Sequence, residues 1–236
     1  MAEIIKLGSL YFNRRSQKVG VKYNGRQINF GPEIPGKELQ WVKVNGLLIA
    51  DRCICVNVSW EQLNDQGFIF GTPIQINGHF YLCRCLKVGA EKNIPNEWDA
   101  ALDEAGEDDE LWHWKGCFFW GQETPADWAE SRVYRGSYLA RGWSNYSASV
   151  RVGTLGFRPA MEYLGSVSCS PDTLVGKAIK AYFSGGVSIE GCLVDFSDYD
   201  IILKPVTPIP ADCPRAVKDG CNIVVSRDNI IWLKES

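Results

Sequence analysis

The sequence predicts an α+β chain, and three observations carry that expectation. Asn-Gly pairs recur between short apolar runs, the signature of β-hairpins. Two stretches bear helix start and stop residues, 59–67 and 96–106. Beyond residue 165 the chain changes character and reads as a succession of short strands.

In chain order, residues 19–23 and 27–30 flank Asn24-Gly25, and residues 41–44 and 47–50 flank Asn45-Gly46; each pair reads as a hairpin. Residues 51–58 read as a strand. Cys53 and Cys55 then share one face, because side chains alternate along a strand. Ser59 caps a short helix that ends at Gly67. Residues 72–86 form another hairpin about Asn77-Gly78, with Cys83 and Cys85 on a common face. Asn96 caps a helix over 96–105, Glu97 and Asp99 suit its first turn, and Gly106 ends it. The acidic run Glu107, Asp108, Asp109, Glu110 reads as a solvated loop rather than a calcium site. The aromatics from Trp112 to Trp120 read as core.

Composition excludes several classes. A net charge of −3 gives no global attraction to nucleic acid or to anionic membrane. Neither a signal peptide nor an apolar run long enough to span a bilayer is present, so the chain is expected in the cytoplasm where it is made, or assembled there into a particle. Nine cysteines, an odd number, suit reduced thiols. The two Cys-x-Cys pairs offer four thiolates, but structural zinc sites place about two to four residues between paired cysteines, so no metal and no cofactor is expected. With only His79 and His113, and no Ser-His-Asp, HExxH, P-loop or GxGxxG pattern, the chain reads as a binding protein and not an enzyme.

The stretch 132–164 concentrates the binding chemistry. Arg135, Arg141, Arg151 and Arg158 alternate with glycines, hydroxyl side chains and tyrosines. Guanidinium forks suit the holding of irregular backbone through carbonyls and carboxylates. Tyr, Ser and Asn suit contact surfaces. Display positions are therefore expected at Ser137, Tyr138, Leu139, Gly142, Ser144, Asn145, Tyr146, Ser149, Val150, Val152 and Thr154. Their scaffold is expected from Arg135, Arg141, Trp143, Arg151, Phe157 and Arg158.

The order Arg135-Gly136, Trp143, Gly156-Phe157-Arg158-Pro159 resembles the ending of C-type-lectin-fold domains of the type shared by formylglycine-generating-enzyme-like domains and the variable proteins of diversity-generating retroelements, many of them phage-encoded. The lead WHWKGCFFWGQE (112–123) resembles the aromatic core before the variable segment of such proteins. This resemblance covers roughly residues 40–165 and implies a C-type-lectin-like domain with few helices and irregular loops, extended at its N-terminus by a β-hairpin to span 1–165, and a protein or cell-surface ligand. It does not bring the enzyme's activity. That activity depends on a cysteine pair, whereas Cys117 stands alone here and Cys169 falls after the domain.

Residues 166–236 read as a linker and five short strands, 179–183, 187–196, 201–206, 223–225 and 230–233, with a turn at Gly185-Gly186 and a bend at Gly191. Gly186, Gly191, Leu193, Phe196, Asp198, Tyr199, Ile202 and Leu203, with Asp228-Asn229-Ile230, resemble the two motifs of the Sm-like family, which includes Hfq. The resemblance implies a small barrel and a homo-oligomeric ring through it; an SH3-like barrel docked on the first domain is the alternative. Ser197 and Ile201 replace the usual Asp and Asn, and Val225-Ser226-Arg227 replaces the second motif's basic pair. Seven basic residues stand against nine acidic ones, which opposes phosphate binding. An RNA- or nucleotide-binding regulator acting through Tyr199, Lys204 and Arg227 is the second functional reading.

Overall fold

A computed structural model describes residues 2–136, 138–166, 168–183, 187–206 and 216–236. Up to residue 165 the strands are β1 (Glu3–Phe12), β2 (Arg15–Ser16), β3 (Val21–Lys22), β4 (Ile28–Gly31), β5 (Glu38–Val44), β6 (Leu47–Ala50), β7 (Cys55–Val56), β8 (Thr72–Ile76), β9 (His79–Cys85), β10 (Phe118–Trp120), β11 (Ser131–Gly136), β12 (Trp143–Ser147), β13 (Leu155–Phe157) and β14 (Pro159–Gly165). They build two sheets. The larger runs β2-β1-β5-β6-β14-β9-β8, with β4 also on β1; the smaller runs β12-β11-β10-β13-β7-β3. Three short helices, α1 (Trp60–Asn64), α2 (Glu97–Ala105) and α3 (Asp109–Trp112), are the α-helices among the described residues.

The α+β expectation is corrected. Strands hold 48% of the residues and helices 11%, so the fold is mostly β. The difference comes from segments not expected as strands, which pair as strands of three residues such as β10 and β13. Such strands have no period of their own; a distant partner makes them.

Local signals explain the elements that match. Ser59 caps α1 and exchanges both bonds of a capping box with Gln62. Asn96 caps α2 by accepting from the Asp99 N–H, and Gly106 at φ 84° ends it. Asn45-Gly46 and Asn77-Gly78 turn β5 into β6 and β8 into β9, all four residues at positive φ. The Asn24-Gly25 hairpin does not form. β3 runs parallel to β7, while β4 joins β1 in the other sheet. The Val56 carbonyl accepts the Tyr23 N–H at 2.8 Å and takes the chain away from its neighbour.

Alternation places a core on each side of the larger sheet. Leu39 and Trp41 of β5 enter one with Phe157 and Met161; Val42 and Val44 enter the other with Trp98, Trp112 and Phe119. Residues 51–54 bend instead of extending. As a result Cys53 enters the second core and Cys55 the first, and the expected common face is lost. Cys83 and Cys85 do share the first core.

The C-terminal sheet has six strands rather than five: β15 (Ala178–Phe183), β16 (Ser188–Phe196), β17 (Asp200–Pro205), β18 (Ala216–Asp219), β19 (Asn222–Ser226) and β20 (Ile230–Glu235), in the order β18-β19-β17-β16-β15-β20. The added strand, β18, is too short and polar to stand out in sequence and exists as the partner of β19 across Gly220. The turn read at Gly185-Gly186 lies outside the described residues. Ile223 of β19 and Leu233 of β20 share one core although far apart in strand order, so the sheet is curled. Gly191 permits the bend: a Cβ there would stand 2.7 Å from the Lys204 carbonyl oxygen.

This curled sheet docks on β14 and β9. The Trp232 indole packs on Phe80 at 4.7 Å between ring centres and donates to the Leu164 carbonyl at 3.2 Å. The Tyr182 hydroxyl donates to Glu162 at 2.5 Å. Burial alone would raise the Glu162 carboxyl, but the Tyr182 bond and the charges of Lys180, Lys234 and Arg84 outweigh it and hold it below its ordinary 4.5.

Two outcomes are expected. A carboxyl depressed by folding contributes stability that is present above its unfolded value and lost as pH falls through the folded one. Chemical denaturation of the wild type should therefore weaken below about pH 4.5, and Glu162→Gln should flatten that limb; equal acid sensitivity in both proteins would refute the linkage. Separately, a Cβ on Gly156 would collide with the Cys55 carbonyl oxygen across the β13–β7 pair. Gly156→Ala should cost about 3 kcal/mol or more in urea melts.

Candidate functional site

The site grows from α2 and the strands it braces. Arg135, at the end of β11, is 2% exposed, and its Nη2 donates to the Asp99 carboxylate of α2. Asn96, the cap of that helix, donates to the other Asp99 oxygen at 2.5 Å and fixes its angle. One turn along, Asp103 accepts from Arg141 Nη2 at 2.6 Å, and Glu107 accepts from Arg141 Nε at 2.6 Å. Asp99 and Asp103, four residues apart on α2, and Glu107, just past its glycine stop, thus meet two arginines of the expected scaffold. The four-residue spacing of the two aspartates was the signal in the sequence that would have found them. Within the acidic run Asp108 caps α3, and Asp109 accepts the Lys115 N–H at 2.7 Å.

Arg158, in the short link between β13 and β14, is fully buried. Its Nη2 donates to the Trp112 carbonyl at 2.7 Å, and its guanidinium lies 4.9 Å from the Trp98 ring and 4.8 Å from Phe119. Burial pulls this guanidinium below the usual arginine range. Phe157 is buried against Phe68. The Trp143 indole donates to the Gly89 carbonyl at 2.9 Å, and Arg151, which is exposed, donates to the Asn57 carbonyl at 3.2 Å. Each of the four arginines therefore holds a carboxylate or a backbone carbonyl.

The expected display positions fall into three places. Tyr138 and Leu139 are 85% and 68% exposed at the tip of the turn after β11. That turn closes because Gly136 adopts φ 96° and because a Cβ on Gly142 would press on the Gly136 and Leu139 carbonyls. With Gly142, Ser144 and Tyr146 they line a groove of about 450 Å3 floored by Phe118 and Tyr134, where Tyr146 stacks on Tyr134 at 4.8 Å. Asn145 faces the other side of β12, in a cleft of about 380 Å3 with Trp143, Lys92, Glu91 and Trp128. Leu139, Gly142 and Trp143 also border a cavity of about 690 Å3 beside Arg135, Arg141, Lys92 and Asp103. Ser149, Val152 and Thr154 are exposed on the loop before β13 and line none of these spaces; Val150 packs against the first core. Ser137 lies outside the described residues.

Trp128, 60% exposed at a polar turn, extends the aromatic surface and was not anticipated, since a lone tryptophan in a loop gives no periodic signal. Among the described residues no group of three His, Cys, Asp or Glu is placed to hold a metal ion. Of the residues in the nucleic-acid reading, Tyr199 is exposed, Arg227 donates to the Ser197 carbonyl at 2.7 Å at the surface, and Lys204 stands toward the far end of β17. No helix among the described residues is long and apolar enough to cross a membrane.

Comparison with family models, curated proteins and solved structures finds no match to this chain. The site must be read from its own residues.

The anchors differ in worth. Asp99→Ala leaves the buried Arg135 charge unpaired and should cost about 3–5 kcal/mol. Glu107→Ala removes one partner of the exposed Arg141 and should cost less than about 1 kcal/mol. Urea denaturation of the two variants checks the contrast; equal losses would mean that the buried anchor is not special.

Proposed function

We propose that this chain is a ligand-binding display protein without catalytic chemistry of its own, of the kind found among the variable proteins of diversity-generating retroelements. One observation carries the reading. Buried arginine anchors and exposed contact side chains alternate within a single stretch: Arg135 and Arg158 are locked inside, while Tyr138, Leu139 and Tyr146 project from the same strands and turns. A surface mounted in this way can change its side chains without touching the bonds that hold its backbone. Tyrosines with short hydroxyl and amide neighbours supply rigid contact area and adaptable hydrogen bonds, the chemistry of a protein or cell-surface ligand. The curled C-terminal sheet presents this surface. A homo-oligomer formed through that sheet would multiply weak contacts into avidity.

The test is deep sequencing of the encoding locus from many cells of one source population. Substitutions are expected to cluster at codons between Arg135 and Gly156, dense at 138, 139, 144, 145 and 146 and absent at 135, 143, 157 and 158. A stretch as invariant as the tryptophan core would remove the diversified-display reading and leave a fixed-ligand module.

A further inference from the structure

Arg158 raises a question that the display reading leaves open. Its guanidinium is fully buried, and although Nη2 reaches the Trp112 carbonyl, Nε and Nη1 have no hydrogen-bond partner among the described residues. A buried cation is costly unless an anion stands beside it. The nearby carboxylate, Asp51, is already engaged by Arg52 at 2.6 and 2.8 Å, with His113 at 3.6 Å. The other acids facing Arg158 are two thiols, Cys53 and Cys117. Their sulfurs lie 3.1 and 3.5 Å from the same acceptor, the Phe118 carbonyl oxygen, which brings the two thiols together. Cys53 is buried, whereas Cys117 is only half-buried, so reagents meet Cys117 first.

We propose that Cys117 and Cys53 form a reactive dithiol, with Cys117 the nucleophile toward hydroperoxides and Cys53 the resolving thiol. Cys117 carries the anionic charge that Arg158 lacks elsewhere. The neighbouring Cys53 side chain, with the Arg158 charge behind it, holds the Cys117 thiol below its ordinary value against the opposing effect of burial, while burial pushes Cys53 up. The pair is thus split, with Cys117 the more acidic thiol and Cys53 the less acidic.

The chemistry balances in two steps. The Cys117 thiolate attacks the terminal oxygen of a hydroperoxide; the S–O bond forms as the O–O bond breaks, and sulfur gives up two electrons. The departing alkoxide or hydroxide takes a proton from water and leaves as alcohol or water. Cys53 sulfur then attacks the sulfenic sulfur of Cys117. The S–S bond forms, the S–O bond breaks, and the Cys53 proton leaves with the hydroxyl as a second water. The location gives oxidation a structural consequence. A Cβ on Gly136 would stand 2.8 Å from the Cys117 carbonyl oxygen, and Phe118 pairs with Gly136, so the dithiol sits beneath the root of the display turn.

The experiment uses the full chain, reduced and then titrated with hydrogen peroxide, followed by intact mass and peptide mapping. The first product should have lost two hydrogens and contain a Cys53–Cys117 linked peptide. C53S should stop at a sulfenic acid on Cys117 that dimedone traps, and C117S should lose the fast oxidation. A measurement on the wild type guards against variants that misfold: iodoacetamide labelling of Cys117 and of the exposed Cys221 across pH. The ratio of the rate near pH 6 to that near pH 9 should be about tenfold higher for Cys117 than for Cys221. First oxidation at Cys221 or Cys169 with Cys117 intact, a Cys117 disulfide to any other cysteine, or matching pH profiles would overturn the proposal.

Discussion

The buried guanidinium of Arg158 is the constraint on which the two sheets before residue 166 depend. It stands between Trp98 of α2 and Phe119 of β10 and donates to the carbonyl of Trp112 at the end of α3. Three successive elements are therefore held to one charge that lies 46 residues beyond Trp112 in the chain. Removing that charge from water is unfavourable; two aromatic faces and a short hydrogen bond offset the cost only if all are in place together. The second core is consequently a specific arrangement and not merely an apolar one. Its aromatics include Trp98, Trp112 and Phe119, which pack edge to face around the cation.

Helix α2 connects this core to the surface. Trp98 faces Arg158, and the next residue, Asp99, faces Arg135. One short helix thus fixes both ends of the stretch that carries the display positions. The electrostatics are graded with depth. Arg135 and Arg158 are inside, where losing a partner is expensive, and Arg141 and Arg151 are outside, where solvent screens them. Rigidity therefore lies below the display turn while its tip remains free of structural duty, which is the physical basis for reading Tyr138 and Leu139 as contact residues.

On β14 and β9 of the larger sheet a different chemistry seats the C-terminal sheet. Leu82, Leu164, Tyr182 and Trp232 form a small core of their own, rimmed by Glu162, Lys180 and Lys234. The apolar centre supplies adhesion and the charged rim supplies orientation. The Tyr182–Glu162 bond also lets acid weaken the joint, since a protonated Glu162 no longer holds the lysines.

Signals that act over a few residues were legible from the sequence. The Asn-Gly turns of β5–β6 and β8–β9, the caps at Ser59 and Asn96, the glycine stop at Gly106 and the arginines as holders of backbone and carboxylate all follow from local stereochemistry and hydrogen-bonding capacity. Partnership across long stretches was decided by the tertiary structure. β3 abandoned its hairpin for β7, Ala216–Asp219 became a strand by pairing with β19, and the α+β expectation gave way to a mostly β fold, because two- and three-residue strands have no pattern until a partner supplies their hydrogen bonds. Cys117, which stands alone in the sequence, acquired Cys53 and Arg158 in the same way. The sequence by itself determined which side chains can hold, turn or cap; only the folded chain decided which of them meet, because the meeting depends on packing a shared core and not on any residue's own preference.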